Sequence, residues 1–215
     1  MSQYIFIKEA KQFFERVKNS SRILLISHSS PDGDAIGSVT GLRNYLKNSG
    51  IDSEIAVPNS YPEYLAFLDD PKKIKIFSDK PGETIDLADK ADLIIALDFN
   101  QLSRVDELEK HVLDSSAFKV LIDHHPMPDV NSFDLVISNP QVSSTAELIF
   151  WILMTLETEN GCKAEHNRKA VINEDVARSL YVGMMTDTNN FSNSVNSATF
   201  LMASILVESG VDKDM

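Results

Sequence analysis

Cysteine is almost absent: Cys162 stands alone among 215 residues. One thiol excludes an intramolecular disulfide and any zinc site built from several cysteines. Such a chain suits a reducing compartment, the cytoplasm. Long apolar runs are also missing. A membrane-spanning helix needs about 20 consecutive apolar residues. The best candidate, AELIFWILMTL, is far shorter and reads as a buried helix. The N-terminus, MSQYIFIKEAKQFFERVKNS, has no apolar core of the secretory kind and soon becomes charged. It reads instead as an amphipathic helix, with Ile5, Phe6, Phe13, Phe14 and Val17 facing a core. Basic residues are scarce: 20 Lys plus Arg face 32 Asp plus Glu, a formal net charge of −12. That shortage argues against a surface that grips long DNA or RNA by its phosphates. It argues equally against a polybasic membrane patch. No repeat or low-complexity tract is visible.

The hydrophobic fraction of 43% and the charged fraction of 24% are those of an ordinary globular protein. The length suits one fairly large domain, or one domain and a fragment of a second. Apolar runs at 22–27, 53–57, 74–77, 92–98, 119–123 and 134–138 predict strands. The continuous runs at 92–98 and 119–123 suit a parallel sheet covered on both faces, while 74–77 is the weakest of the six. Helices are predicted over 34–49, 105–114, 143–158, 173–186 and 196–209. Ser143 or Ser144 is the expected N-cap of the third, with Glu147 in its first turn. Strand and helix alternate, so the expected fold class is α/β: a doubly wound, mainly parallel sheet with helices on both faces. The chain ends just after a helix, which reads as a cut.

Three strands run directly into metal-binding residue types. The first ends in His28, Asp32 and Asp34; another in Asp98; another in Asp123, His124 and His125. Ligands of open parallel sheets bind beyond the carboxyl ends of the strands. So many carboxylates in one crevice repel each other unless a cation neutralises them. Asp and His without thiolate suit Mn²⁺, Fe²⁺, Co²⁺ or Mg²⁺. Each piece has a plainer reading: Pro31, Asp32 and Gly33 form a turn, Asp34 caps a helix, Asp98 ends a strand. Asp187, in SLYVGMMTDTNNF, adds a fourth piece. A carboxylate at a helix C-terminus opposes the dipole, which favours a role outside helix stability.

Four ordered blocks, ISHSSPDGDAIGS, ALDFN, IDHHP and YVGMMTDTNNF, resemble the motifs of the DHH phosphoesterase family. The wording PDGDAIGS and TDTNNF is most similar to the nanoRNase and pAp-phosphatase subgroup of the DHH/DHHA1 proteins. The resemblance implies a cytoplasmic enzyme that degrades very short RNAs and dephosphorylates 3′-phosphoadenosine 5′-phosphate. It implies two divalent metal ions, foremost Mn²⁺, with Mg²⁺, Co²⁺ or Fe²⁺ as alternatives. His28 and Asp32 would hold one ion and Asp34 and His124 the other, with Asp98 and Asp187 bridging or approaching both. Asp123 would orient a neighbouring imidazole, and His125 would contact the substrate phosphate and move a proton. Gly33 would let the backbone turn between the carboxylates. Arg104 resembles a phosphate-contacting position and reads equally as a solvated arginine before a helix. Ser143, Ser144 and Thr145 read as an anion site or as plain N-capping, the latter slightly favoured.

The implied division is a catalytic domain over 1–190 and a helix at 191–215 leading toward a DHHA1-like domain, whose Gly-rich, His-containing motif is not found here. The implied reaction is hydrolysis of a phosphoester by a two-metal-activated water. Alternatives are a pyrophosphatase or exopolyphosphatase, a cyclic or linear dinucleotide phosphodiesterase, and a non-catalytic nucleotide-binding module. The expected partners are small phosphate esters or very short oligonucleotides, not long nucleic acid or membrane. A homodimer is a further implication.

Overall fold

The computed structural model describes residues 7–69, 73–159 and 172–212. Six apolar runs form strands: β1 (Ile23–Ser27), β2 (Ser53–Val57), β3 (Ile74–Ile76), β4 (Leu93–Leu97), β5 (Phe118–Asp123) and β6 (Leu135–Ser138). They make one sheet in the order β3-β2-β1-β4-β5-β6, every pairing parallel. The order of strand addition reverses between β1 and β4, and such a switch point opens a crevice beyond the strand ends.

The helices are α1 (Ile7–Lys18), α2 (Gly33–Asn48), α3 (Pro81–Lys90), α4 (Leu108–Asp114), α5 (Thr145–Glu159), α6 (Glu174–Asp187) and α7 (Ser197–Glu208). Alternation along each strand sorts them into two layers. Ile23, Leu25, Ile95 and Val120 share a core with α1, α2, α5, α6 and α7. Leu24, Ile26, Ile94, Ala96 and Leu121 share the opposite core with α3 and α4. The sheet is therefore covered on both faces, as the continuous apolar runs at 92–98 and 119–123 predict. In α1, Phe13 and Val17 are buried and Phe14 packs against the core. Ile5 and Phe6 lie outside the described residues.

Two elements depart from the sequence reading. The helix expected from 105 begins at Leu108, because Asp106 takes a left-handed φ of 48° after a short 3-10 turn over Leu102–Val105. Helix α3 was not anticipated. Only Thr84 and Ala88 are buried in it, so its apolar pattern is too thin to read.

The α2–α6 crossing brings two parts of the site together. Gly37 faces α6 so closely that a Cβ would stand 2.5 Å from the Ser179 carbonyl oxygen and 2.8 Å from the Gly183 nitrogen. Both obstacles are backbone, so Gly37→Ala must push the helices apart. Overpacking of this kind costs about 1–3 kcal/mol. The thermal midpoint of the variant should fall by roughly 2–10 °C; an unchanged midpoint would contradict the tight crossing.

Candidate metal centre

The crevice between β1 and β4 gathers its residues from four places. His28 follows β1, Asp98 follows β4, Asp123 ends β5 with His124 and His125 behind it, and Asp187 ends α6. Asp98 occupies the left-handed region at φ 69°. Asp is one of the few residues that tolerates it. The strained position carries a buried carboxylate that lies 3.5 Å from His28 Nε2.

Asp32, not Asp34, caps α2. Its Oδ1 accepts hydrogen bonds from the Asp34 and Ala35 amides, both at 3.0 Å. Asp34 sits one turn inside and is buried. Gly33 is not left-handed, so backbone freedom at positive φ is not what requires it. Close approach is its reason instead: a Cβ would stand 2.4 Å from the Thr186 side chain.

The α5 N-terminus acts on Asp34. The Thr145 amide donates to Asp34 Oδ2 at 2.6 Å and the Ala146 amide to Oδ1 at 2.9 Å. The Thr145 hydroxyl donates to Asp98 Oδ1 at 2.9 Å. One residue thus fixes two carboxylates from distant parts of the chain. Ser144 is the helix cap, its Oγ accepting from the Glu147 amide at 3.0 Å. Ser143 instead gives its amide and hydroxyl to the buried Glu147 carboxylate. The helix end is therefore committed to the protein's own acids, in line with capping.

Two groups of side chains could each hold a cation: His28, Asp32 and Asp98, and Asp34, His124 and Asp187. A third grouping, Asp98 with His124 and His125, links them. His28 Nε2 lies 3.5 Å from Asp98 Oδ2 and 3.9 Å from Asp32 Oδ1. His124 Nε2 lies 3.4 Å from Asp187 Oδ2 and 3.7 Å from Asp98 Oδ1. Most of these gaps are too long for hydrogen bonds. They lie within a few tenths of an ångström of the roughly 3.0–3.4 Å between donors that share one cation through bonds of about 2.1 Å.

The electrostatics call for positive charge. Burial raises the pKa of Asp98 well above the ordinary carboxylate value, and Asp32, Asp187 and Asp123 add to it. Burial, then Asp98 and Asp187, raises Asp34 against the lowering effect of its two amide bonds. Burial raises Asp187, partly offset by His124. Burial lowers His124, which favours the neutral imidazole that can ligate, against the raising effect of Asp187. Among the described residues, no Lys or Arg pairs with any of these acids. A donor set of this composition fits divalent cations.

The imidazoles are oriented. His28 Nδ1 lies 2.9 Å from the Ser29 carbonyl oxygen. A carbonyl only accepts, so Nδ1 carries the hydrogen and Nε2 keeps its lone pair. His125 Nδ1 donates to Asp123 Oδ1 at 2.7 Å, and that bond raises the His125 pKa. The other Asp123 oxygen is buried and has no hydrogen-bond partner. Arg104 is brought near only by its backbone, its carbonyl accepting from the Ser29 amide at 2.7 Å; its side chain is exposed. Thr145 is the site residue whose specific role the sequence reading missed. Its amide reaches across 111 residues to Asp34 and its hydroxyl across 47 to Asp98, which no local pattern signals.

Residues 22–184 match the family described as DHH family, N-terminal domain. Over 206 residues the chain is 29% identical to cyclic-di-AMP phosphodiesterase GdpP of Bacillus subtilis, covering 92% of this chain and 29% of that protein. It is 28% identical over 207 residues to the probable bifunctional oligoribonuclease and PAP phosphatase NrnA of Streptococcus mutans, covering 94% and 57%. An exopolyphosphatase-related protein from Bacteroides fragilis superposes with a TM-score of 0.89 at 34% identity, over 100% of this chain and 60% of that one. Exonuclease RecJ bound to manganese shares the fold, with a TM-score of 0.57 at 15% identity, over 94% and 47%. The chain thus spans less than two thirds of the length of each of these proteins. With its parallel sheet, its crevice of acids and imidazoles and the matched segment, the chain belongs to the DHH family.

Proposed function

We propose that this chain carries a metal-dependent phosphoesterase centre that hydrolyses short oligoribonucleotides, 3′-phosphoadenosine 5′-phosphate, or both. The observation that carries the reading is the pair of adjacent ligand groups, linked through Asp98, at the reversal of strand order. The likeness to the Streptococcus mutans protein supports the choice of substrates. The likeness to the Bacillus subtilis protein favours a second reading, a cyclic or linear dinucleotide phosphodiesterase. The Bacteroides fragilis neighbour keeps a polyphosphatase in view.

His28, Asp32 and Asp98 would hold one cation, and Asp34, His124 and Asp187 the second, with Mn²⁺ the first candidate. Bound divalent cations acidify water and neutralise phosphoryl charge. The protein's own groups do the rest. The α5 amides and the Thr145 hydroxyl hold Asp34 and Asp98 in place before substrate arrives. Asp123 fixes the His125 ring so that Nε2 is the nitrogen that exchanges a proton with substrate or leaving group. Arg104 would meet a substrate phosphate from the loop beside His28; Arg suits bidentate phosphate recognition.

His125→Ala should lower kcat by about 10²–10⁴-fold, the range for loss of a general acid or base. Arg104→Ala should act mainly on KM. The reverse pattern would move the proton-transfer role away from His125. The substrate is tested by product analysis across pApA, pAp, cyclic di-AMP and pyrophosphate with manganese-loaded protein. Turnover of pApA and pAp is expected. Turnover of cyclic di-AMP alone would select the second reading.

A further inference from the structure

Helix α2 joins two ends of the molecule. Its first turn enters the metal centre at Asp34. Its last turns carry Arg43 and Lys47, about 14 and 20 Å further along the axis. There they line a cleft of about 560 Å³ with Lys73 and Lys75. Arg43 and Lys47 also line a neighbouring cleft of about 340 Å³, to which α6 contributes Arg178 and Ser179.

Cations that line one cleft repel one another, so a group of them left without ion-pair partners there needs a reason. Lys75 is paired with Glu83 at 2.5 Å, and Arg178 with Glu174 and Asp175. Among the described residues, Arg43, Lys47 and Lys73 have no carboxylate at salt-bridge distance. Asp52 and Glu54 also line the larger cleft and temper its charge. Ser53 lies between them, and its hydroxyl is buried without a hydrogen-bond partner. Lys73 is held in place: its amide donates to Asp69 Oδ1 at 2.8 Å, and the Ile74 amide to the same oxygen at 3.1 Å.

We propose that this cleft is a second anion site, separate from the metal centre, that takes a small polyphosphate group such as the diphosphate of a nucleotide. Arg43 supplies a planar fork for phosphoryl oxygens, and Lys47 and Lys73 supply point charges in the same cleft. A volume of several hundred Å³ is that of small-ligand sites in general. The proposal does not rest on the hydrolytic reading.

The test is calorimetric titration of the full chain, loaded with manganese, by imidodiphosphate, whose P–N–P bridge resists hydrolysis. Wild type should bind two equivalents. Arg43→Glu with Lys47→Glu should weaken one at least tenfold and leave the other. Asp98→Asn should remove that other and leave the cleft's. An unchanged thermal midpoint in the double variant shows that it is folded, and Arg43→Gln with Lys47→Gln should give a smaller loss in the same direction. Two equivalents in the folded double variant would overturn the cleft. A single equivalent in wild type that survives the double variant and is lost in Asp98→Asn would overturn it too. A single equivalent with the opposite pattern would uphold the cleft and sink the metal-centre reading.

Discussion

Asp98→Asn should lower kcat on the order of 10⁴-fold and at the same time leave the folded protein as stable as wild type, or more so. The two halves of this expectation share one cause. Asp98 is nearly fully buried, and burial plus neighbouring acids disfavours its charge. Without a cation, that carboxylate destabilises the fold. Asn keeps the shape, tolerates the left-handed backbone at φ 69° and can still accept the Thr145 hydroxyl bond. It removes the charge that both ligand groups draw on. Rate losses of this size follow when a group central to transition-state charge is removed. Thermal denaturation and initial rates on the same preparation are sufficient. A destabilised variant that keeps its activity would contradict the role given to Asp98.

Manganese affinity should fall steeply as pH falls, by about tenfold or more per pH unit below the raised carboxylate values, because each proton displaced adds one decade. Asp34, Asp98 and Asp187 all have raised values in the metal-free fold, with burial the largest cause in each. The metal-free protein carries the opposite dependence. A raised folded-state pKa means that the folded chain binds more protons than the unfolded chain at intermediate pH. These groups therefore add stability as pH falls from their raised values toward the unfolded value near 3.8, and lose it as pH rises. Cation binding should cancel that loss. Melting curves from pH 5 to pH 8, with and without manganese, read both effects. The gap between the two curves should widen with pH; a constant or narrowing gap would mean that these carboxylates do not meet the metal.

The central strands β1 and β4 were legible because each is a buried, nearly unbroken apolar run, and a parallel sheet buried on both faces demands that pattern. The site was legible for a related reason. Chemistry at the carboxyl ends of strands places polar residues immediately after apolar ones, as at Asp98 after Leu97 and Asp123 after Ile122. Helix α3 was not legible, since a helix that buries only Thr84 and Ala88 leaves little periodicity. The start of α4 depended on a single backbone angle at Asp106. The choice of cap for α2 was open in the sequence for a subtler reason. Asp32 and Asp34 are both good caps by type, and only the docking of α5 against α2 takes Asp34 out of that role. The amides of Thr145 and Ala146 do for Asp34 what an anion site would do for a phosphate. A sequence shows a helix N-terminus but not which anion reaches it.

Two adjacent cation sites in the crevice between β1 and β4 are the centre of the account. Diffraction from manganese-soaked crystals at the manganese absorption edge measures them directly. Two anomalous peaks are expected, one among His28, Asp32 and Asp98 and one among Asp34, His124 and Asp187, and both should vanish in Asp98→Asn with Asp34→Asn. A map with no peak in that crevice, at a manganese concentration that supports turnover, would contradict it.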